Sequence, residues 1–433
     1  MAVSLSGDVE RCDVVVVGAG LAGLVAAIGF ARAGFSVVCC GAADRLGQGR
    51  TVALLDRSIA FLKSLDVWRE VQSLAAPLRA LRIIDDTGSL FPSRPIEFSA
   101  EEIGLDAFGW NIENAALAAV LAEAAAATSG LRRLEERVAA FDFAPERAAL
   151  RLADGRTFHA RLVVGADGRG SSARNAAGVE ARTHFYPQSA LTVIVAHSRP
   201  HQDCSTEFHT RQGPFTLVPL PAAPGAPARS SLVWVMSHAE AARRATLADD
   251  ALAGEIEEQA RSLLGAMRIE GERGVFALAR QSATRLAATR LALVGDAAHV
   301  LPPIGAQGLN LGLRDVEGLL EAAREAAAKR EDIGGEAALQ RYRRRRGPDV
   351  AARAFAVDAL NRSLIAPFAP IDAARGVGLA ALGAIGPLRR FVMREGIAPT
   401  LGPLSDASLT AKRNRPAPRS AAPRSAPSGR LRY

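Results

Sequence analysis

The chain alternates between short apolar runs and longer stretches of helical spacing. Cys12–Val17 is valine-rich, the pattern of a strand buried on both faces of a parallel sheet. Leu21–Ala33 predicts a helix, with Gly34 at its C-terminal cap, and Phe35–Cys40 predicts a second strand. Together they make a β-α-β unit. Leu54, Leu55, Ile59, Leu62, Leu65 and Trp68 recur at helical spacing, so Thr51–Trp68 predicts one helix. Asn114–Ala127 predicts another. Ala149–Leu152 and Thr157–Val164 flank Asp154-Gly155 as a hairpin ending in a buried strand. Ala190–Ala196, Phe215–Val218 and Ser231–Met236 predict strands of a more antiparallel region. Leu291–Val294 is a further short strand, and Leu309, Leu313, Val316 and Leu320 mark one face of a long helix.

Composition narrows the class. Across 433 residues, 49% are hydrophobic and 23% charged, the balance of a globular protein rather than a disordered, collagenous or coiled-coil one. The net charge is +8, yet residues 411–433 alone hold seven basic side chains and no acid. The basic character is therefore mostly a tail, and a nucleic-acid-binding fold is not expected. Cys12, Cys39, Cys40 and Cys204 form no C-x-x-C pair, which argues against a zinc site or disulfide scaffold and for a reducing compartment. Met1–Arg11 has no apolar stretch resembling a secretory signal. Val14–Ala31 is uncharged for 18 residues, but its glycines and its change of period fit strand, turn and helix better than a membrane span.

Three segments carry chemistry. The first is Gly18-Ala19-Gly20-Leu21-Ala22-Gly23, between a strand and a helix. The first glycine permits a tight turn, the second lets backbone approach a pyrophosphate, and the third lets helix and strand pack closely. Free N–H groups and the helix dipole then favour phosphate. The strand end that normally supplies a ribose-binding acid reads Cys39-Cys40-Gly41 here, with Asp44 the nearest acid. The second segment runs from Leu291 through Gly295-Asp296-Ala297-Ala298-His299 to Pro302-Pro303-Ile304-Gly305-Ala306-Gln307-Gly308-Leu309-Asn310. It places a carboxylate at a strand end, suited to polyol hydroxyls, before a stiff loop and a helix start. The third, Asp167-Gly168-Arg169-Gly170-Ser171-Ser172-Ala173-Arg174, is a turn by itself. No hydrolase or zinc-protease motif competes with these. His299 reads as structural more readily than as a proton carrier, and no catalytic base is identifiable.

The three segments, in this order, resemble the FAD-dependent aromatic hydroxylases of the para-hydroxybenzoate hydroxylase fold. The likeness narrows to the ubiquinone-biosynthesis hydroxylases (UbiH/UbiF type) through Gly49-Arg50-Thr51-Val52-Ala53-Leu54, Trp110-Asn111-Ile112-Glu113-Asn114, Tyr186-Pro187-Gln188, Gly213-Pro214 and Asn310-Leu311-Gly312-Leu313-Arg314-Asp315. The resemblance implies FAD as cofactor. Gly18, Gly20, Gly23 and Arg50 would serve its phosphates, Asp296 its ribityl chain, and the backbone of Gly308, Leu309 and Asn310 its ring. Asp167, Ser171 and Arg174 would lie near it, and Tyr186 and Gln188 are candidate pocket residues. Gly305-Ala306 reverses the order expected before Gln307-Gly308. Reduced flavin would capture O₂ as a C4a-hydroperoxide and pass one oxygen to an electron-rich ring.

The expected fold is α/β: a Rossmann-like FAD-binding domain with an inserted mixed/antiparallel β-sheet substrate domain and a C-terminal helical region. FAD-domain segments are expected at 10–75, 111–180 and 281–360, substrate-domain segments at 76–110 and 181–280, a helical region at 361–408 and a disordered basic tail at 409–433. Gly376-Val377-Gly378 does not make a second dinucleotide motif, so the reductant is NAD(P)H docking transiently or a protein electron donor. The expected substrates are O₂ and a polyprenylated phenol or quinol of ubiquinone biosynthesis. A small soluble aromatic acid, a flavin-binding scaffold of a quinone-biosynthesis complex and a prenyl reductase stay open as alternatives. Partners would be other ubiquinone-biosynthesis proteins. Location is cytoplasmic, with a peripheral position at the inner membrane as one option. Arg341 and Arg343–Arg346 read as a solvated face or an anionic-membrane contact, and Leu364–Met393 as core packing or an interfacial segment.

Overall fold

A computed structural model describes residues 9–42, 50–88, 94–303, 307–365 and 385–397, with no side-chain description for 357–365 and 395–397. Strand β1 (Val9–Val17), helix α1 (Leu21–Arg32) and strand β2 (Val37–Cys40) open the chain. Val14–Val17 are buried between parallel neighbours, and α1 is buried nearly all round, as a helix apolar on every face must be.

The single helix expected over Thr51–Trp68 is instead strand β3 (Thr51–Leu55), helix α2 (Asp56–Ser64) and helix α3 (Trp68–Ser73). Apolar spacing alone could not see that Thr51–Leu55 pairs with a distant strand. Next come β4 (Ala76–Leu78), β5 (Ala80–Asp86), β6 (Ile96–Ser99), β7 (Gly109–Glu113), α4 (Asn114–Ala127), β8 (Leu131–Leu134), β9 (Val138–Phe143), β10 (Ala148–Leu152), β11 (Thr157–Gly165) and the short α5 (Ser172–Ala176). β10 and β11 form the expected hairpin. The first sheet runs β17-β18-β11-β1-β2-β8, counting β17 (Ala287–Ala288) and β18 (Leu291–Leu293), with β10 and β9 continuing from β11.

The second sheet is mostly antiparallel. Its strands are β12 (Ala181–His197), β13 (Cys204–Thr210), β14 (Gly213–Leu220), β15 (Ala228–Ser237) and β16 (Met267–Ala283); β12, β14 and β15 outrun the apolar cores that predict them, because hydrogen bonding continues past the buried residues, while β13 and β16 are not expected from the sequence. Helices α6 (His238–Ala245) and α7 (Asp249–Gln259) cover one face. The strand order is β19-β16-β12-β15-β14-β13-β5-β6, with β19 (His299–Val300) at the edge. A small third sheet, β3-β7-β4, leans on β14 and β15 through Asn111, which donates to the Pro219 carbonyl at 2.9 Å.

Two long helices follow, α8 (Gln307–Ala328) and α9 (Glu336–Ile365), and then α10 (Gly386–Ile397). The predicted face of α8 is buried at Leu313, Val316 and Leu320 against α1. The chain leaves the first sheet at β18 and joins the second at β19. Asp296 sits on the turn between them.

Candidate functional site

At the glycine loop, Gly18 has φ +108°, and a Cβ there would lie 2.3 Å from the Ala166 carbonyl oxygen. A Cβ at Gly23 would lie 1.9 Å from the Gly18 carbonyl oxygen. At Gly20, the N-cap of α1, a Cβ would meet nothing within 4 Å among the described residues. Two glycines are thus demanded by protein contacts, while the second faces open space. No side chain caps α1 and its first turn holds no acid, so its leading N–H groups are available to an anion. The loop is a cradle that fits a pyrophosphate.

Gly41 explains the absent ribose acid. Its φ is +147°, and a Cβ would lie 3.0 Å from the Ala19 amide nitrogen. An L-residue here would be strained and pressed against the loop. Asp44 lies outside the described residues, as do Gly305 and Ala306.

The Asp167 segment abuts the cradle, since a Cβ on Gly18 would lie 2.8 Å from the Asp167 Cα. The Asp167 carboxylate works inside its own motif. It accepts from the Ser171 hydroxyl at 2.5 Å, the Ser172 N–H at 2.6 Å and hydroxyl at 2.8 Å, and the Ala173 N–H at 3.1 Å. Ser171 caps α5 by accepting from the Arg174 N–H. Buried Arg174 then donates to the Ala297 carbonyl at 3.0 Å and so braces the turn that carries Asp296.

Asp296 is exposed, so its carboxylate is hydrated as it stands. Even so, crowding by protein pushes its pKa above the usual carboxylate range. His299, Arg169 and Arg50 pull it partly back. Anything that covered this carboxylate and displaced its water would strengthen the upward push. Arg50, also exposed, lies over the Phe276 ring, 5.3 Å from its centroid. Asp296, Arg50 and Arg169 therefore converge beside the glycine cradle.

The start of α8 is fixed by Asn310, whose Oδ1 accepts from the Leu55 N–H at 2.9 Å and whose Nδ2 donates to the Ala53 carbonyl at 2.7 Å. Its side chain thus ties β3 to the start of α8. Gly312 and Gly295 touch: a Cβ on Gly312 would lie 3.0 Å from the Gly295 Cα. That contact sets α8 directly against the Asp296 turn.

Sequence reasoning missed the support behind this turn. Asp315 is fully buried and accepts from the Gly295 N–H at 3.2 Å, His299 Nε2 at 2.5 Å and Arg346 Nε at 2.9 Å. Arg346 also meets Asp349 at 2.6 Å, which Arg314 reaches at 3.0 Å. Burial raises the Asp315 pKa, but His299 and Arg346 more than offset this and hold it below the usual range. His299 is thus structural here. Of the basic run, Arg341, Arg343, Arg345 and Arg346 pair with Glu331, Glu336, Glu325 and Asp315, and Arg344 is exposed. The run is not a free cationic surface. Tyr186 is buried in the second sheet, and Gln188 donates to the Gln212 carbonyl.

Sequence reasoning also missed Glu207 and His209 on β13, in contact at 2.8 Å. Burial pushes Glu207 up, but hydrogen bonding and charge from His209, then the Thr216 hydroxyl, hold it below the usual range. The available signal was a charged residue and a histidine two apart in an apolar strand, hence on one face.

Residues 11–356 match the family described as an FAD binding domain. The chain is 34% identical over 417 residues to the ubiquinone hydroxylase UbiL of Rhodospirillum rubrum, covering 92% of this chain and 93% of that protein. It is 29% identical to the 3-demethoxyubiquinol 3-hydroxylase of Escherichia coli, covering 89% and 98%. Among solved structures, p-nitrophenol 4-monooxygenase PnpA from Pseudomonas putida superposes with a TM-score of 0.74 at 19% identity, covering 92% of this chain and all of that one.

Proposed function

The chain belongs to the FAD-binding family of aromatic-ring monooxygenases, and from that premise we propose that it hydroxylates the ring of a polyprenylated phenol or quinol in ubiquinone biosynthesis, using O₂. The reading is carried by the nearly full-length likeness to a ubiquinone hydroxylase. The cradle at Gly18, Gly20 and Gly23 suits the FAD pyrophosphate, Arg50 its phosphates, Asp296 its polyol chain, and the backbone at Gly308, Leu309 and Asn310 its ring. Asp167 contributes by shaping the loop beside the cradle. Bound flavin supplies the reduction of O₂ and transfer of one oxygen atom. The protein's own share is to orient the ring and exclude water.

The reductant in this reading is NAD(P)H docking transiently or an electron-donor protein. Electron flow from NADH or NADPH into the FAD-loaded protein distinguishes the two. The enzyme would work at a membrane surface; no helix among the described residues is long and apolar enough to span a membrane. Helix α10 docks by buried Met393 and by the Arg389–Glu102 pair at 2.5 Å. It exposes Leu388, Phe391 and Val392 beside Arg390 and Arg394, a composition suited to an anionic interface. Phe391→Glu should reduce flotation with anionic vesicles. Function is tested by metabolite analysis of a deletion strain. Accumulation of a polyprenylated ring lacking one hydroxyl supports the reading, and unchanged quinone synthesis refutes it.

A further inference from the structure

The second sheet has two unlike faces. Under α6 and α7, Leu191, Val193, Phe208, Phe215 and Trp234 form a closed apolar layer. Alternation sends Glu207, His209, Thr216, Val233 and Thr192 to the opposite face. Register sets Glu207 beside Thr216, Thr216 beside Val233, Val233 beside Thr192, and Thr192 beside Gly274. This row crosses from β13 to β16, four strand spacings or roughly 19 Å. It ends two residues from Phe276, over which Arg50 lies. The same face carries β3, because the Thr51 hydroxyl donates to Ser231 Oγ at 2.8 Å, and Asn310 ties the start of α8 to β3. The candidate cofactor groups and the Glu207–His209 pair therefore share one side of the sheet.

The pair is built in one sense. Glu207 Oε1 meets His209 Nε2 at 2.8 Å, and Oε2 accepts from the Thr216 hydroxyl at 3.3 Å. A carboxylate only accepts, so Nε2 carries the hydrogen, and in the neutral ring Nδ1 keeps its lone pair. Nδ1 is buried with no hydrogen-bond partner among the described residues. The hydroxyl of Thr192, in the same row, is likewise buried and unpartnered. No Lys or Arg pairs with Glu207 among the described residues, so a proton gained by His209 would be balanced by Glu207. Asp85, in register with His209 on β5, is already turned to Thr87, whose N–H and hydroxyl it accepts.

The geometry points to His209 as the base that takes the proton of the substrate's ring hydroxyl, with Glu207 as its positioning residue. The assignment rests on the ring-hydroxylation reading above. In the step, the phenolic O–H bond breaks, its electron pair stays on oxygen, and an N–H bond forms at Nδ1. The products are a phenolate and an imidazolium paired with Glu207, with no net redox change. The phenolate ring is richer in electrons and better suited to accept electrophilic oxygen.

The test uses FAD-loaded full-length protein, a short-chain prenylphenol and its methyl ether near pH 7, where a free phenol (pKa about 10) is neutral. Wild type should show a phenolate band in the ultraviolet difference spectrum on binding the phenol, and hydroxylate it far faster than the ether. His209→Gln should lose the band. Glu207→Gln keeps the side chain's size, but its amide can donate to Nε2 and move the histidine hydrogen to Nδ1. It should lose the band too, and both variants should hydroxylate the phenol about a hundredfold more slowly or worse while keeping FAD. A phenolate band that survives in both variants, or is missing in wild type, overturns the assignment. Wild type that ionises the phenol yet never hydroxylates it would keep the base and sink the proposed function. Wild type that hydroxylates it as fast as both variants would do the reverse.

Discussion

Two histidines in this chain rest on carboxylates, one behind the Asp296 turn and one on the second sheet. Each uses Nε2 for the acid, and each leaves Nδ1 without a partner among the described residues. A loose nitrogen therefore does not separate them. The acid's remaining partners do. Asp315 is shared among His299, the Arg346 guanidinium and the Gly295 N–H, and nothing in that set reaches water. Among the described residues Glu207 has only His209 and a neutral hydroxyl, and its side chain keeps 18% of its surface open. An acid already matched by a guanidinium is a brace. An acid whose charge is matched only by a histidine can balance a proton arriving there.

The largest expected difference is in stability. Asp315→Asn leaves Arg346 buried beside a neutral amide, a change that typically costs about 3–5 kcal/mol. Glu207→Gln removes no buried cation's partner and should cost no more than about 1–2 kcal/mol. Thermal melts of the two variants check this, and equal losses would erase the distinction. The pH dependence sharpens it. Asp315 titrates lower folded than unfolded, so its contribution is present above the ordinary carboxylate pKa of about 4 and lost as pH falls through its folded value. The gap in melting temperature between wild type and Asp315→Asn should be widest at neutral pH and close in acid.

Asp296 is the converse case and carries a smaller effect. Its folded pKa is raised, so its charge opposes folding at neutral pH, and that opposition fades as pH falls. Asp296→Asn should leave the FAD-free protein at least as stable as wild type at pH 7. It should also weaken FAD binding about ten- to a hundredfold, the usual worth of a hydrogen bond to a charged group. Paired measurements of melting temperature and flavin affinity would show whether the two move in opposite directions. If they fall together, Asp296 is a second brace like Asp315.

What was legible in the sequence was whatever depends on local spacing. Gly18 and Gly23 announce a strand–turn–helix because backbone crowding at those two positions admits few residues, and Leu313, Val316 and Leu320 announce a buried helix face. Pairing between distant segments was not legible. Leu54 and Leu55 carry helical spacing, yet Thr51–Leu55 is a strand because Gly109–Glu113 lies beside it. Asp315 reads as one acid on a helix until Arg346, a turn of chain away in space but 31 residues on, closes on it. Glu207 and His209 stand two apart, but only the two-faced sheet reveals that the side they share is the one facing Arg50 and β3.

The smallest expected effect lies in the arginine run, where the same contrast between matched and unmatched charge recurs within six residues. Arg346 is buried between Asp315 and Asp349, whereas Arg344, two positions earlier, points into solvent. Composition treats them alike, and a reading of the run as a membrane-binding face would make Arg344 its most available member. If the run's purpose is internal pairing, Arg344→Gln should shift stability by no more than about 0.5 kcal/mol, the range of an ordinary surface change. It should also leave anionic-vesicle flotation unchanged. A clear loss of flotation would return this helix to the membrane surface and move part of the docking role from α10 to α9.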